Sequence, residues 1–260
     1  MPVGIPGVRR RTISALAAST ALAALLGGCA SYDTTTPRSA RAAASGSVSG
    51  DGTAAQAVDC RKASCVALTF DAGPSRYTPK LLDILKQQGA HATFFMLGKN
   101  HVMKYPDTVR RLVAEGNEPA NHTWTHKILT EVEPAEARAE IERTEDAVER
   151  ISGRRPVLMR PPQGRTDEDV SAICKELGVA QVLWSVTAKD YATDDSELIR
   201  KRVREQVKRD GIILLHDIYP GTVPAVPGIL ADLKEKGYTV VTVSQLLSPA
   251  RPEPGRVYKP

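Results

Sequence analysis

From residue 65 onward, short apolar runs alternate with segments whose apolar positions recur every three or four residues. The runs CVALTF (65–70), ATFFML (92–97), PVLMR (156–160), VAQVLWS (179–185), IILLHD (212–217) and YTVVTV (238–243) have strand length and are apolar almost throughout. Strands covered on both faces read this way. Between and around them, helical periodicity spans residues 78–89, 106–116, 134–153, 166–178, 194–211 and 223–237, and each segment closes on a glycine. The first opens on Thr78 as the expected cap followed by Pro, and the fourth on Thr166 as the expected cap. The third carries an apolar stripe at Ala137, Ile141, Val148 and Ile151. Strands alternating with helices predict an α/β chain with a parallel sheet. About seven such units in a single domain predict a (β/α) barrel smaller than the eight-unit form, with a doubly wound open sheet as the competing arrangement.

The ends of the 260-residue chain depart from this pattern. Arg9, Arg10 and Arg11 precede an uncharged run of small and apolar residues, 12–28. That run is short for a membrane-spanning helix and reads as a signal peptide over residues 1–28. It ends at Leu-Gly-Gly-Cys, which resembles a bacterial lipobox and implies cleavage before Cys29 and lipidation of its sulfur. The alternative is an ordinary signal peptide with an incidental cysteine. A lipid anchor would place the protein on the outer face of the bacterial cell membrane, exported by the general or the twin-arginine route. Residues 29–57 have almost no large apolar side chain and predict a flexible tether. The domain would span 58–250, and 251–260 would be a tail, disordered or strapped to the surface.

Charge and cysteines refine this picture. The chain has 35 basic and 30 acidic residues, but residues 1–28 hold three of the arginines and no acid, which leaves 32 against 30. That near-balance argues against nucleic acid as a partner. In an exported chain, Cys60 and Cys65 predict a local disulfide, two free thiols being the alternative. Cys174 lies in a helical pattern and reads as a buried apolar residue without a partner.

The candidate chemistry gathers at strand ends. Asp71 follows ALTF, Arg160 follows PVLM, residues 184–190 follow QVL, and His216 follows IILL. In a (β/α) barrel these ends share one face, so the convergence predicts an active site. His122 and His126, in NHTWTH, are spaced by four; on a helical turn both imidazoles would reach one metal ion. They and His216 are three of only five histidines, and His91 and His101 read as structural or exposed.

Five segments in order carry a resemblance to the NodB-type polysaccharide deacetylase domain, carbohydrate esterase family 4: TFDAGP (69–74), HTWTH (122–126), RPPQG (160–164), TAKDY (187–191) and LLHD (214–217). The resemblance implies a distorted (β/α)7 barrel and metal-dependent hydrolysis of acetyl groups from N-acetylglucosamine polymers such as peptidoglycan or chitin, or from O-acetylated xylan. It implies Asp71 as general base, His216 as general acid, Arg160 holding Asp71 and Asp190 orienting His216. His122 and His126 would be ligands of a divalent metal, zinc or cobalt. Leu214 and Trp184 would wall a pocket for the acetyl methyl, and the backbone at Gln163 would face the oxyanion. The sequence also departs from the family. Ala72 replaces the carboxylate that completes the metal shell, Thr187 stands where an acid anchors Arg160, Gln163 replaces Tyr, and Tyr191 replaces Trp. The competing function is therefore a catalytically weakened or silent carbohydrate-binding domain.

Overall fold

The computed structural model describes residues 1, 3–4, 32–44 and 58–260. The export signal, Cys29 and most of the tether lie outside the described residues. Among the described residues ten strands and eight α-helices follow in order: β1 (Thr34–Thr35), α1 (Pro37–Ala44), β2 (Cys65–Asp71), α2 (Thr78–Gln87), β3 (Thr93–Met96), α3 (Pro106–Ala114), β4 (Glu118–Asn121), α4 (Pro134–Ser152), β5 (Leu158–Met159), α5 (Glu168–Leu177), β6 (Ala180–Val182), β7 (Val186–Thr187), α6 (Ser196–Gln206), β8 (Ile212–His216), α7 (Thr222–Glu235), β9 (Thr239–Val241), α8 (Val243–Leu247) and β10 (Val257–Tyr258).

Every strand pair is parallel. The order across the sheet is β1-β10-β6-β5-β4-β3-β2-β8-β7, with β9 also on β2. β6 and β7 lie far apart in that order, yet only Leu183, Trp184 and Ser185 join them. Three residues span roughly 10 Å, so the sheet must curl until its two sides meet. The result is the expected distorted (β/α)7 barrel in one domain.

Period-two alternation sorts the side chains. Val66, Leu68 and Phe70 of β2, with Ile213 and Leu215 of β8, face the helices and join Leu81, Leu85 and Ile229 in the larger core. Ala67, Phe95, Leu158, Val182 and Ile212 fill the barrel interior. The residues that continue the inward face toward the strand ends are Thr69 and Asp71 on β2 and Leu214 and His216 on β8. One sequence pattern therefore builds the core and aims the chemistry.

Several expectations needed correction. β4, EPAN, has no apolar run and contains a proline, so hydrophobic patterning missed it; its strand character comes from its neighbours β3 and β5. The run 179–185 ends at β6, and the chain then crosses the curl before β7. Thr78 does not cap α2. Its hydroxyl bonds Asp217 and receives the Ser75 N–H instead. Asp167, not Thr166, caps α5 by accepting from the Val170 N–H at 2.8 Å. The Cys60–Cys65 disulfide is present, and Cys174 is free and buried, both as expected.

The largest difference concerns the tether. Within 29–57, residues 34–44 form β1 and α1, which dock on the barrel. Arg41 is buried and donates to Asp210 at 2.7 Å and to the Leu246 carbonyl at 2.6 Å. The tail is a strap: β10 pairs β6, and Tyr258 is buried. Small residues misled the sequence reading, because α1 is anchored by a buried ion pair and not by an apolar stripe. Breaking that pair strands Asp210 and the Leu246 carbonyl. Arg41→Ala should therefore lower the unfolding free energy by about 3–5 kcal/mol, measured by denaturant titration. Arg38→Ala on the same helix should change it by less than about 0.5 kcal/mol. Equal, negligible effects would restore the free-tether reading.

Candidate active site

Asp71 ends β2 and His216 ends β8, and the two residues are direct cross-strand partners. Arg160 follows β5, and His122 follows β4. The strand register thus delivers an acid, a guanidinium and two imidazoles to one end of the barrel.

Arg160 is fully buried. Its Nη1 donates to Asp71 Oδ1 at 2.6 Å and to Thr69 Oγ1 at 2.8 Å, and its Nε donates to the Val182 carbonyl at 3.0 Å. The guanidinium lies 4.0 Å from the Phe95 ring centroid and 5.6 Å from that of Trp184. Burial pulls its pKa down, against the opposing charge and hydrogen bond of Asp71. Arg160 Nη2 is buried without a hydrogen-bond partner. This fits the expectation that Thr187, standing where the family has an acid, leaves Arg160 short of an anchor.

The backbone of Arg160 also organises the site. Its carbonyl lies 2.7 Å from His122 Nδ1. A carbonyl only accepts, so Nδ1 carries the proton and Nε2 keeps its lone pair. His122 Nε2 is 3.1 Å from His126 Nε2 and 3.8 Å from Asp71 Oδ2. Burial pushes the His122 imidazole down to about 4, against the Asp71 charge, so it is neutral at pH 7. Desolvation lowers His126 as well.

The two histidines do not sit on a helical turn, as their spacing had suggested. They lie in a loop after β4, and His126 has φ +66°. The loop brings the rings together by its own hydrogen bonds. Asn121 Oδ1 accepts from the Thr123 N–H at 2.7 Å, and Thr123 Oγ1 accepts from the His126 N–H at 3.0 Å. Glu140 of α4 accepts from the Thr125 N–H and hydroxyl, both at 2.7 Å.

Two nitrogens 3.1 Å apart suit the bite of one ion with metal–nitrogen distances of about 2.0–2.1 Å. Residue 72 offers only a methyl group, and among the described residues no group of three His, Cys, Asp or Glu is placed to hold a metal. The donors present fit a cation on two nitrogens, weaker than a three-ligand site.

His216 forms the other half. Its Nδ1 is 2.9 Å from Asp190 Oδ1, and its backbone N–H donates to Asp190 Oδ2 at 2.7 Å. Thr222 donates to the same oxygen at 2.7 Å. Burial alone would lower the His216 pKa, but the Asp190 hydrogen bond and charge, with the Asp71 charge, raise it. The imidazolium is favoured, and with Nδ1 engaged its Nε2 is the nitrogen left to exchange a proton. Tyr191 and Tyr219 stand edge-on to the ring, at 6.1 and 5.5 Å between centroids.

The remaining expected residues fall nearby. Leu214 lies on the inward face of β8, in register with Thr69 and Thr187. Trp184 covers Arg160 and leaves only 3.0 Å for a Cβ at Gly164. Gln163 is exposed, with φ +58°. Among the described residues six non-glycine residues have positive φ, and five of them border this cluster: Ala72, Thr123, His126, Gln163 and Lys189. Each such residue stores about 1–3 kcal/mol of strain, which surrounding contacts must hold.

Sequence reasoning missed Glu140, Asn121, Thr222 and Asp217. Glu140 lies among many acids of α4, but it falls in phase with the buried positions 137, 141 and 144, a signal that could have exposed it. Asp217 lies under the Asp71–Pro74 turn. A Cβ on Gly73 would come within 2.0 Å of its Oδ1, which explains the glycine. Burial pushes the Asp217 carboxyl up to about 6.

Comparison with known proteins places this geometry. The polysaccharide deacetylase family matches residues 59–182. The peptidoglycan-N-acetylmuramic acid deacetylase PdaC of Bacillus subtilis is 43% identical over 182 residues, 70% of this chain but 38% of that protein. The chain thus spans well under half the length of PdaC. A chitooligosaccharide deacetylase of Bradyrhizobium is 39% identical over 184 residues, 70% of this chain and 82% of that one. Among solved structures, T48 deacetylase with substrate superposes with a TM-score of 0.74 at 40% identity, covering 78% of this chain and all of that one.

The orphaned Arg160 nitrogen gives a direct test. Val186 packs among the helices, so alternation turns Thr187 inward, level with Leu214 and Thr69. Thr187→Asp should offer Arg160 a second charged acceptor and raise the unfolding free energy by about 1.5 kcal/mol, read from the denaturant midpoint, with Thr187→Asn gaining less. A loss of stability in Thr187→Asp would mean that position 187 does not reach the guanidinium.

Proposed function

Because the chain belongs to the polysaccharide deacetylase family, we propose that it hydrolyses acetyl groups from an N-acetylglucosamine-containing polysaccharide of the peptidoglycan or chitin-oligomer kind. The observation that carries this reading is the pairing of Asp71 with His216 on adjacent strand ends, beside two imidazoles whose Nε2 atoms converge.

Asp71, held by Arg160, takes the proton from the attacking water. His216, kept cationic by Asp190, returns a proton from Nε2 to the leaving amine nitrogen as the carbon–nitrogen bond breaks. Leu214 and Trp184 wall the acetyl methyl, and the Gln163 backbone N–H faces the developing oxyanion. His122 and His126 would hold a divalent cation, zinc or cobalt, which when bound supplies Lewis-acid activation of water and carbonyl. The same reading takes LGGC as a lipobox, with export and a lipid on Cys29 at the outer face of the cell membrane. Among the described residues no helix is long and apolar enough to cross a membrane.

A second reading, a silent carbohydrate-binding domain, is favoured by one feature: Ala72 supplies no third metal ligand. Acetate release from N-acetylglucosamine oligomers, after chelation and again with zinc or cobalt restored, separates the two. Metal-dependent acetate supports the deacetylase. No acetate with either metal, from N- or O-acetylated sugars, supports the binding domain. Ala72 has φ +66°, a conformation that Asp tolerates better than Ala. Ala72→Asp should therefore fold normally and tighten zinc binding by about 10-fold or more in a chelator competition. Unchanged affinity would mean that position 72 does not face the histidine pair.

The pH dependence tests the acid. A His216 pKa above 6.5 keeps the imidazolium populated past that value, and activity falls as pH rises through the raised pKa. The stability contributed by the His216–Asp190 pair is complete below 6.5 and is lost over the same rise. Asp190→Asn leaves burial dominant, so the alkaline limb of kcat against pH should move downward. An unmoved limb would assign it to another group.

A further inference from the structure

At the opposite end of the barrel from Asp71 and His216, four arginines meet. Arg38 and Arg41 lie three residues apart on α1, Arg61 sits in the Cys60–Cys65 disulfide loop, and Arg209 precedes β8. Together with Ala42 they line a cavity of about 270 Å³, and among the described residues no carboxylate-bearing residue lines it. The strand starts define this end: Arg41 bonds Asp210, two residues before β8, and α1 packs on α8.

Three of these guanidiniums belong to the framework. Arg41 is buried against Asp210 and the Leu246 carbonyl. Arg209 Nη2 donates to the carbonyls of Cys60 at 3.1 Å and Arg61 at 2.8 Å. Arg61 forks onto Asp59 at 2.8 and 2.9 Å. Arg38 makes no hydrogen bond or ion pair among the described residues. Among the described residues, the four cations thus meet two carboxylates, Asp59 and Asp210, neither of which lines the cavity. Like charges gathered in one concavity repel one another, and the repulsion is relieved when an anion enters.

We propose that this cavity is a binding site for a phosphate group, as monoester or diester. Arginine forks match the tetrahedral oxyanion and can bond it through paired N–H groups. The cavity is below the roughly 300 Å³ at which sites for drug-sized ligands begin, so it suits a phosphate with a small substituent such as glycerol. Arg38 lies nine residues after Cys29. Where the proposed anchoring holds, lipid headgroups are a nearby source of that chemistry, with the catalytic end turned away from the bilayer. The phosphate site itself does not depend on the deacetylase reading.

The test uses the full chain carrying Cys29→Ser, so that no lipid contributes to binding. Calorimetric titration with inorganic phosphate and with glycerol 3-phosphate reads the soluble arm. Co-sedimentation with phosphatidylcholine vesicles, with and without phosphatidylglycerol, reads the headgroup arm. Binding should weaken as salt rises. Arg38→Glu, and Arg38→Glu with Arg61→Gln, should weaken it by about 10-fold or more. Acetate release and the melting midpoint of both variants should match the parent. Arg38→Glu removes no bond, so it serves alone if the double variant melts early. Binding of either soluble probe, or of phosphatidylglycerol vesicles, that is lost in the variants supports the site and identifies the source. No binding to any probe, or binding that the variants leave unchanged, overturns it. Neither result alters the acetate assay, so the two readings fail separately.

Discussion

A guanidinium buried without solvent is the constraint around which the catalytic end is built. Removing such a cation from water costs several kcal/mol, and Arg160 offsets this with Asp71, Thr69, the Val182 carbonyl and two aromatic faces. These partners come from four separate strands or their links, so the cation ties the curled sheet together. The same residue's carbonyl fixes the tautomer of His122. Asp71 and His122 therefore share one anchor, and a disturbance at Arg160 reaches both. The strained backbone around the cluster follows from the same economy. Thr123 at φ +74° is tolerated only because Asn121 and Glu140 hold the loop on either side of it.

The two ends of the barrel are stabilised differently. At the strand starts, the disulfide and the Arg41–Asp210 pair fix the chain, and among these residues Asp210, at φ +67°, is the one with positive φ. At the strand ends, polar side chains are held by hydrogen bonds in conformations that their residue types disfavour. Rigidity at one end allows strain at the other, since the strands connecting them cannot slip in register without exposing Val66, Leu68 and Phe70.

Much of this was legible in the sequence because inward and outward faces alternate with period two. Asp71 and His216 were readable as terminal inward residues of apolar strands, and the six long helices were readable from periodicity, five of them also from a glycine at or just past the end, whereas α6 stops at Gln206, five residues before Gly211. What escaped was placed by tertiary contacts. EPAN is a strand because β3 and β5 flank it. The 34–44 segment is held by the buried Arg41 and by the pairing of β1 with β10, and composition registers neither an ion pair nor a two-residue strand. Glu140 supports the histidine loop from 15 residues away, and only the helix phase of α4 hints at its burial. The i, i+4 spacing of His122 and His126 suggested the right convergence for the wrong reason, since a hydrogen-bonded loop, not a helix, brings the rings together.

Position 72 shows how backbone and chemistry separate. Its left-handed conformation is imposed by the turn between β2 and Pro74, where the Ala72 N–H donates to the Phe95 carbonyl at 3.0 Å. Gly73, next in the turn, is pressed against Asp217. An alanine gains nothing from that conformation: it has the Cβ clash and none of the local hydrogen bonding that lets Asp or Asn occupy it. The turn has a shape suited to a polar side chain, and residue 72 supplies only a methyl group. Asp71, one residue earlier, keeps its place because Arg160 binds it and not because of anything at position 72. The Asp71–His216 pairing is therefore built independently of residue 72, whose methyl group adds no donor beside the His122 and His126 nitrogens.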